Sequence, residues 1–172
     1  DTLARPWVIP GTPGMEHRIG GLEKQPVTGN VSYAPQDHEA MCRQRAEKVA
    51  RIADSFSELG IPELEVTGQQ QGDLLVLSWG GSYGAVFTAV QRANRNGLSV
   101  GHAHLRYLNP LPRNLGDILE RYDRVMIPEL NSGQLGLLIR ARFLRDVVPL
   151  SKIQGQPFSV GEIEAAIAEL LG

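Results

Sequence analysis

One short segment has the residue types and the spacing of a hydrolase nucleophile. Gly80-Gly81-Ser82-Tyr83-Gly84 matches the G-x-S-x-G turn that presents a catalytic serine between a strand and a helix. Such an enzyme needs an acid and then a histidine after the serine in the chain. The last histidine is His104, on the next predicted strand, so no later residue can serve as the base. The segment also lacks the G-x-G-x-x-G spacing of a dinucleotide site. We therefore interpret it as a glycine-rich turn that begins a helix.

Two histidines share one face of a predicted strand. His102 and His104 are two residues apart, and Arg106 continues the row. A pair of this kind can ligate a metal ion, but the nearby sequence offers no third or fourth ligand and the arginine would repel a cation. The pattern favours a polar strand face or a contact between domains. Cys42, on a predicted helix, is expected to be a small buried side chain rather than a nucleophile.

A second polar cluster lies in the N-terminal segment, where Glu16-His17-Arg18 precedes Gly20-Gly21. Residues 1–36 contain five glycines and five prolines, a composition that disfavours a helix. We expect extended chain and turns that lie on a surface supplied by another domain. On spacing alone, the polar cluster could equally be a solvated turn.

The elements that must position these residues follow from the apolar spacing. A helix is predicted after Asp37 as N-cap, with Gly60 as C-cap and Pro62 ending it. Residues 63–72 are polar and are interpreted as a linker. Residues 73–172 then alternate between strands and helices, and this alternation predicts a three-layer α/β domain with a mostly parallel sheet. The predicted strands are 74–79, 100–108, 124–128 and 152–154. Apolar helical stripes are predicted between them and after the last, and these stripes include Tyr122 and Leu138.

In such a sheet the loops at the carboxyl ends of the strands meet ligands and partners. Three loops are expected on one edge, at 80–84, 109–112 and 129–134. No constellation of residues predicts catalysis by this chain, so physical reasoning alone indicates a docking or accessory domain.

Composition narrows the class of protein. The chain has 172 residues and a formal net charge of −2, which argues against non-specific nucleic-acid binding. No apolar run approaches the roughly 20 residues that span a bilayer, so we predict no membrane segment and a cytoplasmic location. The single cysteine excludes an internal disulfide or a cysteine-held metal cluster. Because the first residue is Asp1 and no secretory signal follows, we expect the chain to be a piece of a longer protein.

Several strings resemble one family. They are GMEHRIGG at 14–21, HEAMCRQRAEK at 38–48, YLNPLP at 107–112, PELNSGQL at 128–135, and the strand and turn at 74–84. Together they resemble the alpha subunits of 2-oxoacid:ferredoxin oxidoreductases over essentially the whole chain. PGTPG at 10–14 with HRIGGLEK is most similar to the long alpha subunits assigned to 2-oxoglutarate.

The resemblance implies an arm at 1–36 that ends a pyrimidine-type domain, a helix and linker at 37–72, and a transketolase C-terminal-like domain at 73–172. It implies the C-terminal part of an alpha subunit in a thiamine-diphosphate enzyme, a heterotetramer that converts 2-oxoglutarate and coenzyme A to succinyl-coenzyme A and CO2 and reduces ferredoxin. The partners implied are the remainder of alpha and a beta subunit that holds thiamine diphosphate, Mg²⁺ and an iron–sulfur cluster. This chain alone would bind none of these cofactors.

By the same resemblance, no residue of this chain is catalytic or a metal ligand. Glu16, His17, Arg18 and Gly20 are expected near the active cleft. The loop expected to contact a neighbouring domain or subunit consists of Glu129, Asn131, Ser132, Gly133 and Gln134. The alternative is a free-standing α/β module that binds or responds to a small molecule at its strand-end loops.

Overall fold

The computed structural model describes residues 3–4, 8–17 and 20–172. The chain divides into two compact units, Asp1–Ser55 and Phe56–Gly172. Among the described residues, no helix is long and apolar enough to cross a membrane.

The first unit contains one helix, preceded by chain in turns and extended segments. Where this preceding chain is described, its one strand-like pairing is an isolated antiparallel bridge between Lys24 and Val31. Helix α1 spans Pro35–Arg51 and continues as a 3-10 turn, Ile52–Ser55. The prediction of Asp37 as N-cap is wrong, because the helix begins earlier, with a proline in its first turn, a favourable position for that residue. Asp37 instead accepts a hydrogen bond from Ser32 Oγ at 2.6 Å.

The second unit is a five-stranded sheet with the order β1-β3-β2-β4-β5. Strand β1 pairs antiparallel with β3, while the β2–β3, β2–β4 and β4–β5 pairs are parallel. This confirms the α/β fold with a mostly parallel sheet. The strands are β1 Val66–Gly68, β2 Gly72–Trp79, β3 Val100–Leu105, β4 Tyr122–Glu129 and β5 Val148–Ser151. The helices are α2 Tyr83–Arg95, α3 Leu115–Glu120, α4 Gln134–Phe143 and α5 Val160–Leu171.

The core lies on both faces of the sheet, which gives the predicted three layers. Side chains alternate across a strand, so β2 sends Leu75 and Leu77 to one face and Leu74 and Val76 to the other. The first pair packs with buried residues of α3 and α4, and the second with those of α2 and α5. All four side chains are fully buried.

Three boundaries differ from the sequence prediction. The segment predicted as a linker contains β1, whose polar sequence, Val66–Gly68, fits a short edge strand with little burial. The last strand is Val148–Ser151 rather than 152–154, and Pro149 is tolerated there because β5 is an edge strand. Tyr122, predicted to belong to a helical stripe, begins β4.

Tyr122 crosses the sheet above a glycine. Its hydroxyl donates to the backbone carbonyl of Gln69 at 2.5 Å, and burial raises the pKa of this phenol to about 12. A Cβ atom at Gly101 would overlap the tyrosine oxygen and would lie 2.7 Å from the Gln69 carbonyl oxygen. A glycine is therefore required on β3 where this hydrogen bond passes.

We expect Gly101→Ala to lower the free energy of unfolding by about 1–3 kcal/mol, because the added methyl group must displace Tyr122 or the backbone of Gln69. Urea unfolding followed by circular dichroism measures the change. Gly161→Ala is the matched control: it lies in α5, and a Cβ there meets no atom within 4 Å. Equal stability of the two variants would contradict the expectation.

Candidate functional site

The three predicted loops lie at one edge of the sheet. Strands β2, β3 and β4 run parallel, so their carboxyl ends point the same way. The loops that follow them include 80–84, 109–112 and 129–134, as predicted. This edge is where an open parallel sheet normally meets its ligands and partners.

The glycine-rich turn after β2 does not present a nucleophile. Residues Gly80–Ser82 form a 3-10 turn that leads directly into α2. The Ser82 hydroxyl is buried and donates to the Trp79 carbonyl at 2.8 Å. Its one proton is used by the backbone, which confirms the interpretation as a turn that begins a helix.

The loop after β4 is held by a buried carboxylate. Glu129 is 2% exposed, and its two oxygens accept the N–H groups of Leu135 and Gly136 at 2.8 and 2.9 Å. Asn131 Oδ1 accepts those of Gly133 and Gln134 at 2.8 and 3.0 Å. The first N–H groups of a helix lack intrahelical partners, and negative charge is favourable there. The two side chains therefore fix the start of α4.

Sequence reasoning placed five residues of this loop at a contact with a neighbouring domain or subunit. Glu129 and Asn131 bond within the loop and helix, and Gly133 is buried with a φ of +93° that suits glycine. Ser132 and Gln134 are exposed. The loop thus offers two side chains to a partner, and the contact itself stays a prediction.

Helix α4 carries an exposed apolar face that the sequence pattern did not reveal. Leu137 is 66% exposed and Leu138, predicted to be in the buried stripe, is also exposed. Ala141 and the C-cap Leu144 continue the same side of the helix. We call these four residues the α4 apolar face. Both sides of α4 are apolar, so periodicity could not show which one faces the core.

The two strand histidines are bridged by a serine. Ser78 Oγ on β2 lies 2.7 Å from His102 Nε2 and 2.7 Å from His104 Nδ1. The Tyr83 ring on α2 packs beside both imidazoles, with centroids 5.6 and 5.0 Å away. The pKa of His102 is lowered to about 4 by burial and by the neighbouring histidine, and burial followed by the charge of Arg106 lowers the pKa of His104. The sequence pointed to the histidines but not to Ser78.

The predicted cleft residues of the arm make local contacts. The Glu16 carboxylate accepts the Gly14 N–H at 3.3 Å, and His17 Nδ1 lies 3.0 Å from the Met15 carbonyl. Both side chains and Gly20 are exposed. Arg18 lies outside the described residues. Their proximity to an active cleft stays a prediction.

Cys42 is exposed, so its prediction as a buried side chain is wrong. Its sulfur, His38 and Glu23 form the group of potential metal ligands found among the described residues, with ligand atoms within 4.8 Å of one another. The Arg45 guanidinium already lies 3.3 Å from both Glu23 oxygens and from Cys42 Sγ. Hydrogen bonds from Arg45 and His38 lower the pKa of Glu23 to about 2. The group is therefore an ion-pair cluster in which the Arg45 guanidinium already supplies the positive charge that a metal ion would bring.

The described residues do not fit the two metal cofactors, magnesium and an iron–sulfur cluster, that the family resemblance implies. Magnesium requires several oxygen ligands, whereas the Glu23 cluster supplies one carboxylate beside an arginine. An iron–sulfur cluster requires several cysteines, and the chain has one.

No family model matches the chain. The chain is 48% identical over 166 residues to 2-oxoglutarate oxidoreductase subunit KorA of Mycobacterium tuberculosis, covering 95% of this chain and 24% of that protein. Its structure matches 2-oxoglutarate:ferredoxin oxidoreductase from Magnetococcus marinus with a TM-score of 0.83 and 31% identity, covering 97% of this chain and 29% of that one. The predicted family resemblance is confirmed.

More distant comparisons agree. 2-Oxoglutarate synthase subunit KorA of Methanothermobacter thermautotrophicus is 27% identical over 151 residues, which is 86% of this chain and 37% of that protein. A split-gene transketolase shares the fold alone, with a TM-score of 0.50 and 15% identity over 62% of this chain. The transketolase-like fold is thus confirmed. The chain spans 24% and 37% of the length of these two KorA subunits.

We expect Glu129→Gln to destabilise the protein by about 1–3 kcal/mol, since the amide can satisfy only one of the two N–H groups and removes the charge at the helix start. Thermal unfolding and amide exchange at Leu135 and Gly136 measure the effect. Glu120→Gln, at an exposed position in α3, is the matched control. Unchanged exchange at both amides would show that the carboxylate does not cap α4.

Proposed function

We propose that this chain serves as part of the alpha subunit of a thiamine-diphosphate-dependent 2-oxoglutarate:ferredoxin oxidoreductase. The complete enzyme would convert 2-oxoglutarate and coenzyme A to succinyl-coenzyme A and CO2 and pass electrons to ferredoxin. The observation that carries this proposal is the 48% identity to a KorA subunit across 95% of the chain. The matching Magnetococcus structure, which holds 2-oxoglutarate, coenzyme A and succinyl-CoA, supports the choice of substrates.

The cofactors of that reaction are assigned to other parts of the complex. Thiamine diphosphate supplies the carbanion stabilisation that decarboxylation of a 2-oxo acid requires. The proposal places it, its Mg²⁺ and the iron–sulfur cluster on a beta subunit, as the family resemblance implies. The Glu23 cluster and the single cysteine of this chain do not suit the two metal groups. A cytoplasmic, heterotetrameric enzyme is part of the same proposal.

The role of this chain would be docking rather than chemistry. The α4 apolar face exposes large side chains next to a loop whose shape is fixed by Glu129 and Asn131. Exposed apolar side chains on a rigid helix are typical of surfaces that pack against a partner. We propose that the α4 apolar face, with Ser132 and Gln134 of the loop, packs against the rest of alpha or against beta.

The alternative is a free-standing module that binds a small molecule. A pocket at the strand histidines favours it, because an accessory surface needs no such cavity. The two functions are separated by native purification of the gene product. A longer alpha chain that co-elutes with a cysteine-rich beta subunit supports the oxidoreductase, whereas a monomer of this chain supports the module.

We expect Leu137→Asp in the complete enzyme to reduce co-purification of the partner at least tenfold, because a carboxylate would be desolvated in the contact. Size-exclusion chromatography and 2-oxoglutarate-dependent ferredoxin reduction are the measurements. Ile153→Asp, at another exposed apolar residue, is the matched control. Loss of assembly in both variants, or in neither, would contradict docking through the α4 apolar face.

The arm is tested separately, as a proposed neighbour of the active cleft. We expect His17→Ala in the complete enzyme to lower kcat/KM for 2-oxoglutarate at least severalfold with the subunits still assembled, because its side chain is exposed and its contacts within the chain are local. His38→Ala, at an exposed histidine on α1, is the control. Unchanged turnover and assembly would show that His17 has no such role.

A further inference from the structure

The second unit contains a pocket of about 400 Å³ beside the strand histidines. His102, His104 and Arg106 line it from β3 and its end, with Tyr83 from α2 and Thr67 from β1. None of the Glu129 loop residues and none of the α4 apolar face lines it. It is therefore a separate feature from the proposed docking surface.

The hydrogen bonds at Ser78 require that one histidine keeps an unused N–H and that the other keeps an unused acceptor nitrogen. The serine hydroxyl has one proton, yet it lies within hydrogen-bond distance of a ring nitrogen of both His102 and His104. It can donate to only one of them, so the other must donate to the serine oxygen. Each neutral imidazole carries a single N–H. The histidine that donates to Ser78 therefore leaves an acceptor nitrogen free, and the one that accepts leaves a free N–H.

Both rings are in the neutral form that this argument needs. The pKa of His102 is lowered to about 4 and the pKa of His104 is lowered as well, so neither ring carries a charge near pH 7. The groups around them explain this: the two imidazoles lie edge to face with centroids 6.2 Å apart, Tyr83 and Phe87 pack against them, and Arg106 adds positive charge.

Both histidines line the pocket, although His102 is only 2% exposed, and each keeps one ring nitrogen that Ser78 does not use. Within the part of the chain that the structure describes, neither His102 Nδ1 nor His104 Nε2 has a hydrogen-bond partner. The buried side-chain atoms that lack a partner there are Asn114 Oδ1 and Arg145 Nε, so the two histidine nitrogens are not sealed in the core. The pocket is thus lined by one unused donor and one unused acceptor.

The rest of the lining suits a flat and largely uncharged ligand. Tyr83 stands beside both imidazoles, and Phe56 and Tyr107 form an aromatic pair with centroids 5.5 Å apart. The positive charge of Arg106 is opposed by Glu63 and Glu65, which also line the pocket. An anionic group would find one histidine donor and the Arg106 guanidinium, but Glu63 and Glu65 in the same lining oppose its charge.

We propose that this pocket binds a planar ligand group that presents a hydrogen-bond donor next to an acceptor, as in a carboxamide or an amino-substituted nitrogen heterocycle. His102 and His104 contact the two polar atoms and the aromatic side chains flank the plane. This site is independent of the proposed docking role.

Histidine nitrogen spectra of the whole chain test the proposal. The chain has four histidines, so long-range ¹H–¹⁵N correlations at pH 7 resolve each ring and its tautomer. We expect the same tautomer on both rings, because Ser78 contacts His102 through Nε2 and His104 through Nδ1: Nε2–H on both when His102 donates, and Nδ1–H on both when His104 donates. Nicotinamide as the carboxamide probe, or adenine as the heterocycle probe, should shift both rings and leave His17 and His38 unchanged. A response to only one probe identifies the source of the group.

Two variants test whether the Ser78 bridge couples the two histidines, or whether the site depends on packing alone. Ser78→Ala removes the bridge with little change of volume, and we expect it to weaken probe binding about tenfold and to uncouple the tautomers of the two rings, which then no longer match. His104→Gln, at a half-buried position, tests the same pair if Ser78→Ala fails to fold. His38→Gln is the matched control and should bind the probes normally.

Several results would overturn the proposal. They are opposite tautomers for the two rings, equal probe binding by Ser78→Ala, and no response to either probe at 10 mM, roughly the weakest affinity expected of fragments this small. Shifts caused by inorganic phosphate, with none caused by nicotinamide or adenine, would show an anion site instead.

Discussion

Strand β2 must be covered on both faces, and the rest of the second unit depends on this constraint. It lies between β3 and β4 in parallel pairing, so each neighbour requires a crossover and neither edge of β2 is free. Its side chains alternate between two apolar clusters, one covered by α3 and α4 and the other by α2 and α5. Helices on both faces are the way to bury a strand whose every side chain from Leu74 to Leu77 is apolar.

The same alternation decides where the polar groups meet. Ser78 follows Leu74 and Val76 on the α2 side of β2, and β3 runs in register with Ser78 opposite His104. His102 and His104 therefore share that side with Tyr83 and Phe87 of α2. The parallel register brings a serine and two histidines together although 24 and 26 residues separate them in the chain.

The strand–helix alternation, the three strand-end loops and the family resemblance could be predicted because each rests on a local pattern. Buried strands and glycine-rich turns have strong sequence signals, and Leu74 to Leu77 is one of them. The failures fall where tertiary contacts override such patterns. Strand β1 has no apolar run because it is an edge strand, and Tyr122 leaves its apparent helical stripe to reach Gln69 across Gly101. Ser78 carries no local signal, since only the pairing of β2 with β3 gives it partners.

Buried polar groups at this edge differ in how much of their hydrogen-bonding capacity the fold consumes. Ser82 gives its proton to Trp79, and both oxygens of Glu129 accept helix N–H groups, so these side chains build the edge. Neither side chain has a hydrogen-bonding atom that the fold leaves without a partner, since Ser82 has donated its only proton and each Glu129 oxygen already accepts one N–H. The histidines are different: Ser78 satisfies one nitrogen of each ring and leaves the other open at a pocket. Unused hydrogen-bonding capacity, rather than burial or polarity, distinguishes the residues that support the fold from the residues that are placed to bind a ligand.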